Sequence, residues 1–179
     1  MEIDVLVKFR DFIETEFKNI EAYIGRGQVF NSSIFDEPVV IEDRLHDNKS
    51  PIRGRKGIYL FMFTGAGDLL EDEINEYNSI SGAKIKKNNK PYYNEVDCLY
   101  VGSCVSESLY TRINQHYSKD DRYTALKLDN NKRTALKNEV ICVAIPMKKE
   151  YSEFYRLVLP HIEKRLHEEI YPMAGSSRV

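Results

Sequence analysis

The sequence predicts an α+β fold, an α/β sandwich in which helices flank a small sheet. Two observations predict it. Segments with helical and strand periodicity follow one another in the order helix, strand, strand, helix, strand, helix, with a further short acidic helix between the first two strands. The 179 residues are 42% apolar, which is enough to form a buried core. We divide the chain into an N-terminal helical extension, residues 1–52, and a main domain, residues 53–179.

The first predicted element is an amphipathic helix over residues 2 to 24. Apolar side chains recur there at spacings of three and four, which places them on one face of a helix that must be buried against another element. Gly25 and Gly27 then end the helix. These apolar residues are Leu6, Phe9, Ile13, Phe17 and Ile20. Residues 28–56 are irregular and contain one short apolar run, Val39 to Ile41.

Three strands follow from β-prone apolar runs bounded by turn residues. The runs are Gly57–Phe63, Cys98–Gly102 and Glu139–Ile145. An insertion at about 66–95 separates the first two, and it combines an acidic helix at 68–78 with a basic, turn-rich loop.

Two further helices complete the pattern. One runs from Ser106, a good N-cap residue, to about Tyr117. The last runs from about Tyr151 to Ile170, with a kink or restart expected at Pro160 because proline interrupts helical hydrogen bonding.

Charge and cysteine content restrict the functional classes. The net charge is −2, which argues mildly against nucleic acid as a partner, although a local basic stripe is sufficient to hold phosphates. The three cysteines have no zinc-site spacing, and their odd number is typical of free thiols in a reducing compartment. No apolar run resembles a signal peptide or a membrane helix. We therefore expect a cytoplasmic protein.

Five polar side chains form a candidate phosphodiester site. Two tripeptides lie on neighbouring predicted strands: GIY, which ends at Tyr59, and YVG, which starts at Tyr100. Arg112 and His116, four residues apart, share one face of the following helix, beside its apolar stripe. Glu163 lies at the border of the apolar face of the last helix.

In this order and on these elements, the five residues resemble the GIY-YIG nuclease family. The resemblance extends from Gly57 to about Gly175 and implies a three-stranded antiparallel sheet flanked by helices. It also implies an endonuclease that hydrolyses DNA with Mg²⁺ or Mn²⁺. The long gap between Tyr59 and Tyr100 is similar to the restriction-enzyme branch of the family, which favours a restriction-like or defence-related role.

The resemblance implies a role for each residue. Glu163 is expected to hold the metal ion, and Arg112 to donate to the nonbridging phosphate oxygens. Tyr59 is the expected general base, with a pKa lowered by the metal and the arginine. Tyr100 is expected to position the water, and His116 to orient the water or the phosphate, or to act as the base itself.

The sequence departs from the family at two further positions. Ser103 and Cys104 stand where members often have a lysine or another polar residue. Residues 175–177, Gly-Ser-Ser, stand where many members carry an asparagine, and whether Ser176 replaces it is left open.

Double-stranded DNA is the expected partner, held by basic residues before the first strand and in the insertion. These are Arg53, Arg55, Lys56, Lys84, Lys86, Lys87 and Lys90. A solvated loop explains the lysines equally well. Specificity is expected to come from the N-terminal segment, the insertion, a homodimer or a partner protein.

Each residue alone also has an ordinary structural explanation, such as a core tyrosine or a surface arginine. Cys104 and His116 form a weaker candidate site, a thiol nucleophile with its base. The same fold could also serve as a catalytically silent nucleic-acid-binding module or as a protein-interaction module. The ordered occurrence of the five residues favours the nuclease.

Overall fold

A computed structural model describes residues 2–42, 45, 50–64, 71–80, 83–85, 98–118, 125–128, 136, 139–170 and 172–174, with side chains from residue 5 onward. In this part of the chain there are four α-helices: α1 (Glu2–Arg26), α2 (Glu71–Ser79), α3 (Leu109–His116) and α4 (Tyr155–Ile170). The strands are β1 (Val39–Ile41), β2 (Gly57–Phe63), β3 (Cys98–Cys104) and β4 (Val140–Pro146). A short 3₁₀ turn, Lys149–Tyr151, precedes α4.

The strands form one antiparallel sheet in the order β1-β4-β2-β3. The α+β class is confirmed, but the expected number of three strands is wrong, because Val39–Ile41 adds a fourth strand by pairing with β4. Three residues are too short for a recognisable alternation, and their partner strand lies about a hundred residues later. The N-terminal segment therefore contributes to the sheet of the main domain.

Helices cover both faces of the sheet. Side chains alternate along β2, so that Ile58 and Leu60 face α1 and α4, whereas Tyr59 and Phe61 face α3. We call the first cluster of buried residues the α4-side core and the second the α3-side core. In β3, the outermost strand beside β2, Val101 points into the α4-side core. The sheet thus separates two hydrophobic cores.

Helix α1 is confirmed, but its apolar stripe is only partly buried. Ile13, Phe17 and Ile20 are buried in the α4-side core, whereas the side chain of Leu6 is 68% exposed. Phe9 packs edge-on against His161 of α4. The prediction that Leu6 is buried is wrong, because the first turns of α1 extend beyond the part of the helix that α4 covers.

The other helices differ from the prediction at their starts. Helix α3 begins at Leu109 and is capped by Ser108, whose Oγ accepts the Thr111 N–H, and not by Ser106. Helix α4 begins at Tyr155 and continues through Pro160 without a restart. Among the described residues, none of the helices combines the length and the apolar run that crossing a membrane requires.

Helices α1 and α4 are joined by an ion pair. Arg165 donates through Nε and Nη2 to the two carboxylate oxygens of Glu14, at 3.2 and 3.3 Å, and its guanidinium lies over the Phe17 ring. The hydrogen bond from Arg165 lowers the pKa of Glu14. A lowered folded-state pKa stabilises the fold at pH values above the unfolded pKa, and this contribution disappears as the pH falls through the folded pKa.

We expect Glu14→Gln to reduce the free energy of unfolding by less than about 1 kcal/mol at pH 7, because the pair is partly exposed. The difference from the wild type should disappear at an acidic pH below the lowered pKa of Glu14. Urea unfolding of both proteins at the two pH values measures this, and an equal difference at both would contradict the assignment.

Candidate active site

A pocket of about 320 Å³ lies at the edge of the sheet beside β3. Four of the five residues singled out in the sequence line it: Tyr59, Tyr100, Arg112 and Glu163. The two tyrosines come from β2 and β3 of the sheet. Arg112 and Glu163 come from α3 and α4, which pack on opposite faces of the sheet. The structure therefore brings these four together around one cavity.

The two tyrosines and the arginine form one half of the pocket. The Tyr59 and Tyr100 rings are stacked, with centroids 6.0 Å apart and an angle of 22° between the planes. Arg112 donates from Nε to the Tyr59 hydroxyl at 3.3 Å. Burial lowers the pKa of Arg112, but the neighbouring tyrosines outweigh this effect and raise the pKa overall, so the guanidinium stays charged.

His116 lies behind Tyr59, not in the pocket. Its side chain is fully buried, its Nδ1 accepts the backbone N–H of Leu126 at 3.1 Å, and its Nε2 is 3.1 Å from the Tyr59 hydroxyl. Because Nδ1 is an acceptor, the proton of the neutral ring is on Nε2, which donates to Tyr59. The expectation that His116 directly orients water or phosphate is therefore corrected: it contacts Tyr59 instead.

The surroundings of Tyr59 have two opposing effects on the pKa of its phenol. Burial raises the pKa of its phenol well above the usual value, with smaller contributions from Tyr100 and Cys104, while Arg112 opposes the increase. The lowering of this pKa that was expected from the metal ion and Arg112 together must therefore overcome the effect of burial. Its oxygen nevertheless receives two N–H donors, from Arg112 and His116, and this arrangement favours the phenolate.

Glu163 forms the other half of the pocket, from the α4 side. The Ser103 hydroxyl donates to its Oε2, and His167 Nε2 lies 4.0 Å from its Oε1. His167 Nε2 also lies 3.3 Å from the Val101 carbonyl oxygen, and only 9% of its side chain is exposed. Ser103, which appeared only as a departure from the family pattern, thus holds the carboxylate.

Two residues that were not predicted from the sequence hold Arg112 in place: Gln115 binds it directly, and Glu107 binds Gln115. Arg112 Nη1 donates to Gln115 Oε1 at 2.8 Å, and Gln115 Nε2 donates to Glu107 Oε2 at 2.7 Å. Gln115 is buried, and Glu107 lines the pocket. The three-residue spacing from Arg112 to Gln115 was the available signal, since such side chains are neighbours on a helix.

The glycines of both tripeptides are required by close contacts. A Cβ on Gly102 would collide with the Tyr59 ring and hydroxyl, and a Cβ on Gly57 would collide with the carbonyl oxygen of Ile145. Glycine at these two positions therefore allows Tyr59 to reach the pocket and β2 to pack against β4.

We expect Gly102→Ala to lower the free energy of unfolding by about 1 to 3 kcal/mol, because the added methyl group overpacks the site. It should also displace Tyr59 from Arg112. The matched control is Gly54→Ala: Gly54 has φ +71° and open space around it, so only backbone strain of about 1 kcal/mol is expected, without an effect on the site. Urea unfolding of both variants measures the two losses, and an equal effect of the two substitutions on the NMR signal of the Arg112 Nε–H group would contradict this.

The described basic residues before β2 have local partners. Arg55 pairs with Asp36 and bonds to the Met147 carbonyl, and Lys56 donates to the Glu107 carbonyl at 2.8 Å. Arg53 is exposed, with its guanidinium 6.0 Å from the centre of the Tyr110 ring. The pocket therefore lies close to the Lys56 ammonium, whereas Arg55 serves an internal ion pair.

Of the basic residues in the insertion, Lys84 belongs to the described part of the chain. It binds backbone carbonyls at the end of α2, those of Asn78 and Ile80. The predicted contacts of Lys86, Lys87 and Lys90, and the question about Ser176, lie outside the described residues.

The donor set suits a hard cation held by one carboxylate. In the described part of the chain, no three His, Cys, Asp or Glu side chains cluster as a metal cage. Mg²⁺ keeps several waters and uses one or two protein carboxylates together with a substrate phosphate, and Glu163 beside an open pocket fits that pattern.

The alternative site, in which Cys104 is the nucleophile and His116 its base, is disfavoured by the surroundings of both residues. Burial raises the pKa of Cys104 to about 12, so the thiolate is scarce at neutral pH. His116, its proposed base, is bonded to Tyr59 and Leu126 instead.

Comparisons of this chain with protein-family models, with characterised proteins and with solved structures gave no match.

Proposed function

We propose that this chain is a divalent-metal-dependent endonuclease that hydrolyses phosphodiester bonds in double-stranded DNA, in a restriction-like or defence-related role. The observation that carries the proposal is the convergence of Arg112, Glu163 and two tyrosines on one pocket. Hydrolysis of a phosphodiester needs a charge-stabilising donor, a metal-binding carboxylate and an acceptor for the proton of water. The choice of DNA rests on the resemblance to GIY-YIG nucleases.

Glu163 is the proposed ligand of Mg²⁺ or Mn²⁺. Its Oε2 is fixed by the Ser103 hydroxyl, so the carboxylate is oriented before a cation arrives. A bound metal ion would polarise the phosphate and stabilise the leaving oxygen.

Arg112 is the proposed electrostatic stabiliser of the transition state. Its guanidinium is anchored at Nε by Tyr59 and at Nη1 by Gln115. A planar guanidinium held in this way donates to nonbridging phosphate oxygens with little reorganisation as charge develops on them.

Tyr59 is the proposed acceptor of the proton from the attacking water. The N–H donors of Arg112 and His116 meet its oxygen from the protein side, so the phenol must first lose its own proton to solvent through the open pocket, a step that a bound cation would favour, before the phenolate oxygen takes a proton from water. His116 keeps its own proton on Nε2 and therefore positions Tyr59 without acting as a base. Stacking against Tyr100 fixes the plane of the ring.

The test of the proposal is cleavage of supercoiled plasmid by the purified chain with Mg²⁺, with Mn²⁺ and with EDTA. Conversion to nicked or linear DNA only in the presence of metal is the expected result. Retention of labelled DNA in a gel without cleavage in either metal would favour the silent binding module, and neither retention nor cleavage would favour a protein-interaction module.

Cleavage of both strands with one site per chain also calls for two copies acting together, so we propose that the active species on double-stranded DNA is a homodimer or a complex with a partner protein. Sedimentation of the chain with and without a DNA duplex tests this.

A further inference from the structure

A chain of hydrogen bonds runs from the rim of the pocket to Tyr59. It starts at the Glu107 carboxylate, passes through the Gln115 side chain to Arg112, and ends at the Tyr59 hydroxyl. We call it the Glu107–Tyr59 relay. Three of its four side chains come from residues 107–115: Glu107 lies just before α3, and Arg112 and Gln115 lie within it.

The orientation of the Gln115 amide in this relay is unambiguous. Arg112 can only donate, so the atom facing it must be the amide oxygen. The Glu107 carboxylate can only accept, so the atom facing it must be the NH₂ group. Glu107 therefore holds the amide in the orientation that presents an acceptor to Arg112.

We infer that Gln115 and Glu107 are positioning residues that fix the Arg112 guanidinium for the reaction in this pocket. The inference rests on the proposed nuclease function for its catalytic consequence. Arginine has several rotatable bonds, and a displacement of about 1 Å costs roughly a hundredfold in rate. Bonds at Nε and at Nη1 fix both the position and the plane of the group.

Gln115 is well placed for this role because it is only 8% exposed. Water therefore competes little with its two hydrogen bonds, and loss of either partner leaves a buried amide group without its bond. Glu107 is partly exposed, so it supplies an acceptor oxygen at the boundary between the core and the pocket.

The first test measures the relay directly, without cleavage. In a ¹⁵N-labelled sample, the Nε–H signal of Arg112 is identified by its loss in Arg112→Lys. In Gln115→Met, which keeps the length of the side chain but has no amide, we expect this signal to broaden or exchange with water at least tenfold faster. The same change is expected in Glu107→Ala, and Glu107→Gln, which keeps an acceptor oxygen, should restore the wild-type signal.

Asn114→Ala is the matched control. Asn114 is the adjacent amide on α3, but it bonds to the backbone of Leu45 and not to the relay. An unchanged Arg112 signal is expected in this variant. A change as large as that in Gln115→Met would overturn the inference, because it would reflect general loosening of α3.

The second test measures turnover. Gln115→Met should lower kcat about tenfold to a hundredfold with little change in KM, the same pattern as Arg112→Lys. Because both residues act through one chain, Gln115→Met combined with Glu107→Ala should be no slower than Gln115→Met alone. Additive losses, or wild-type rates in Gln115→Met, would overturn the inference.

The nuclease proposal and the relay proposal can be contradicted independently of each other. If the wild-type chain cleaves no DNA, the nuclease proposal fails, while the Arg112 signal still decides whether the relay holds the guanidinium. If the wild type cleaves and Gln115→Met cleaves equally well, the relay proposal fails and the nuclease remains. If Gln115→Met does not fold, Glu107→Ala with its rescue by Glu107→Gln decides the inference.

Discussion

Glu163→Gln is expected to reduce Mg²⁺-dependent DNA cleavage by about two orders of magnitude or more. Glutamine has nearly the same shape and still accepts the Ser103 hydroxyl proton, so the fold should be retained. It lacks the negative charge that a hard divalent cation requires. Plasmid cleavage over a range of Mg²⁺ concentrations measures the loss.

The matched control is Glu153→Gln, an exposed carboxylate just before α4. It should cleave at the wild-type rate. Comparable cutting by Glu163→Gln and the wild type would mean that another group binds the metal.

Arg112→Lys is expected to lower kcat by about a hundredfold or more although the positive charge remains. A lysine ammonium cannot bond to Tyr59 and Gln115 while presenting a planar pair of donors to a phosphate. The loss should appear in kcat more than in KM, because the interaction strengthens in the transition state.

Single-turnover cleavage at saturating DNA measures this loss. Arg10→Lys is the control, since Arg10 is an exposed arginine of α1 whose nearby acid is also exposed. A rate for Arg112→Lys within threefold of the wild type would mean that charge alone suffices and that the guanidinium geometry is unimportant.

Sequence periodicity predicted the long elements because each carries its own local signal. The apolar run Gly57–Phe63 and the helical stripe around Phe17 are examples. The strand Val39–Ile41 was missed because its only evidence is pairing with β4, a contact that is distant along the chain. Burial of Leu6 was overestimated because periodicity identifies the apolar face of a helix but not how far its partner extends along it.

The candidate site was predictable where one side chain carries the chemistry. Tyr59, Arg112 and Glu163 were recognised by type and order, and the structure brings them to one pocket. The supporting contacts were not predictable. The role of Ser103 depends on which face of the edge strand meets α4, and the proton position on His116 depends on a backbone amide at Leu126.

The division of the molecule into two cores has a consequence for biosynthesis. Arg112 belongs to a helix packed on the α3-side core, whereas Glu163 arrives with α4, which is made later and packs on the α4-side core. A nascent chain synthesised only as far as β4 therefore contains Arg112 but lacks the Glu163 carboxylate. On the proposed function, such a chain has no Glu163 to hold the metal ion until α4 has been made and has packed against the sheet.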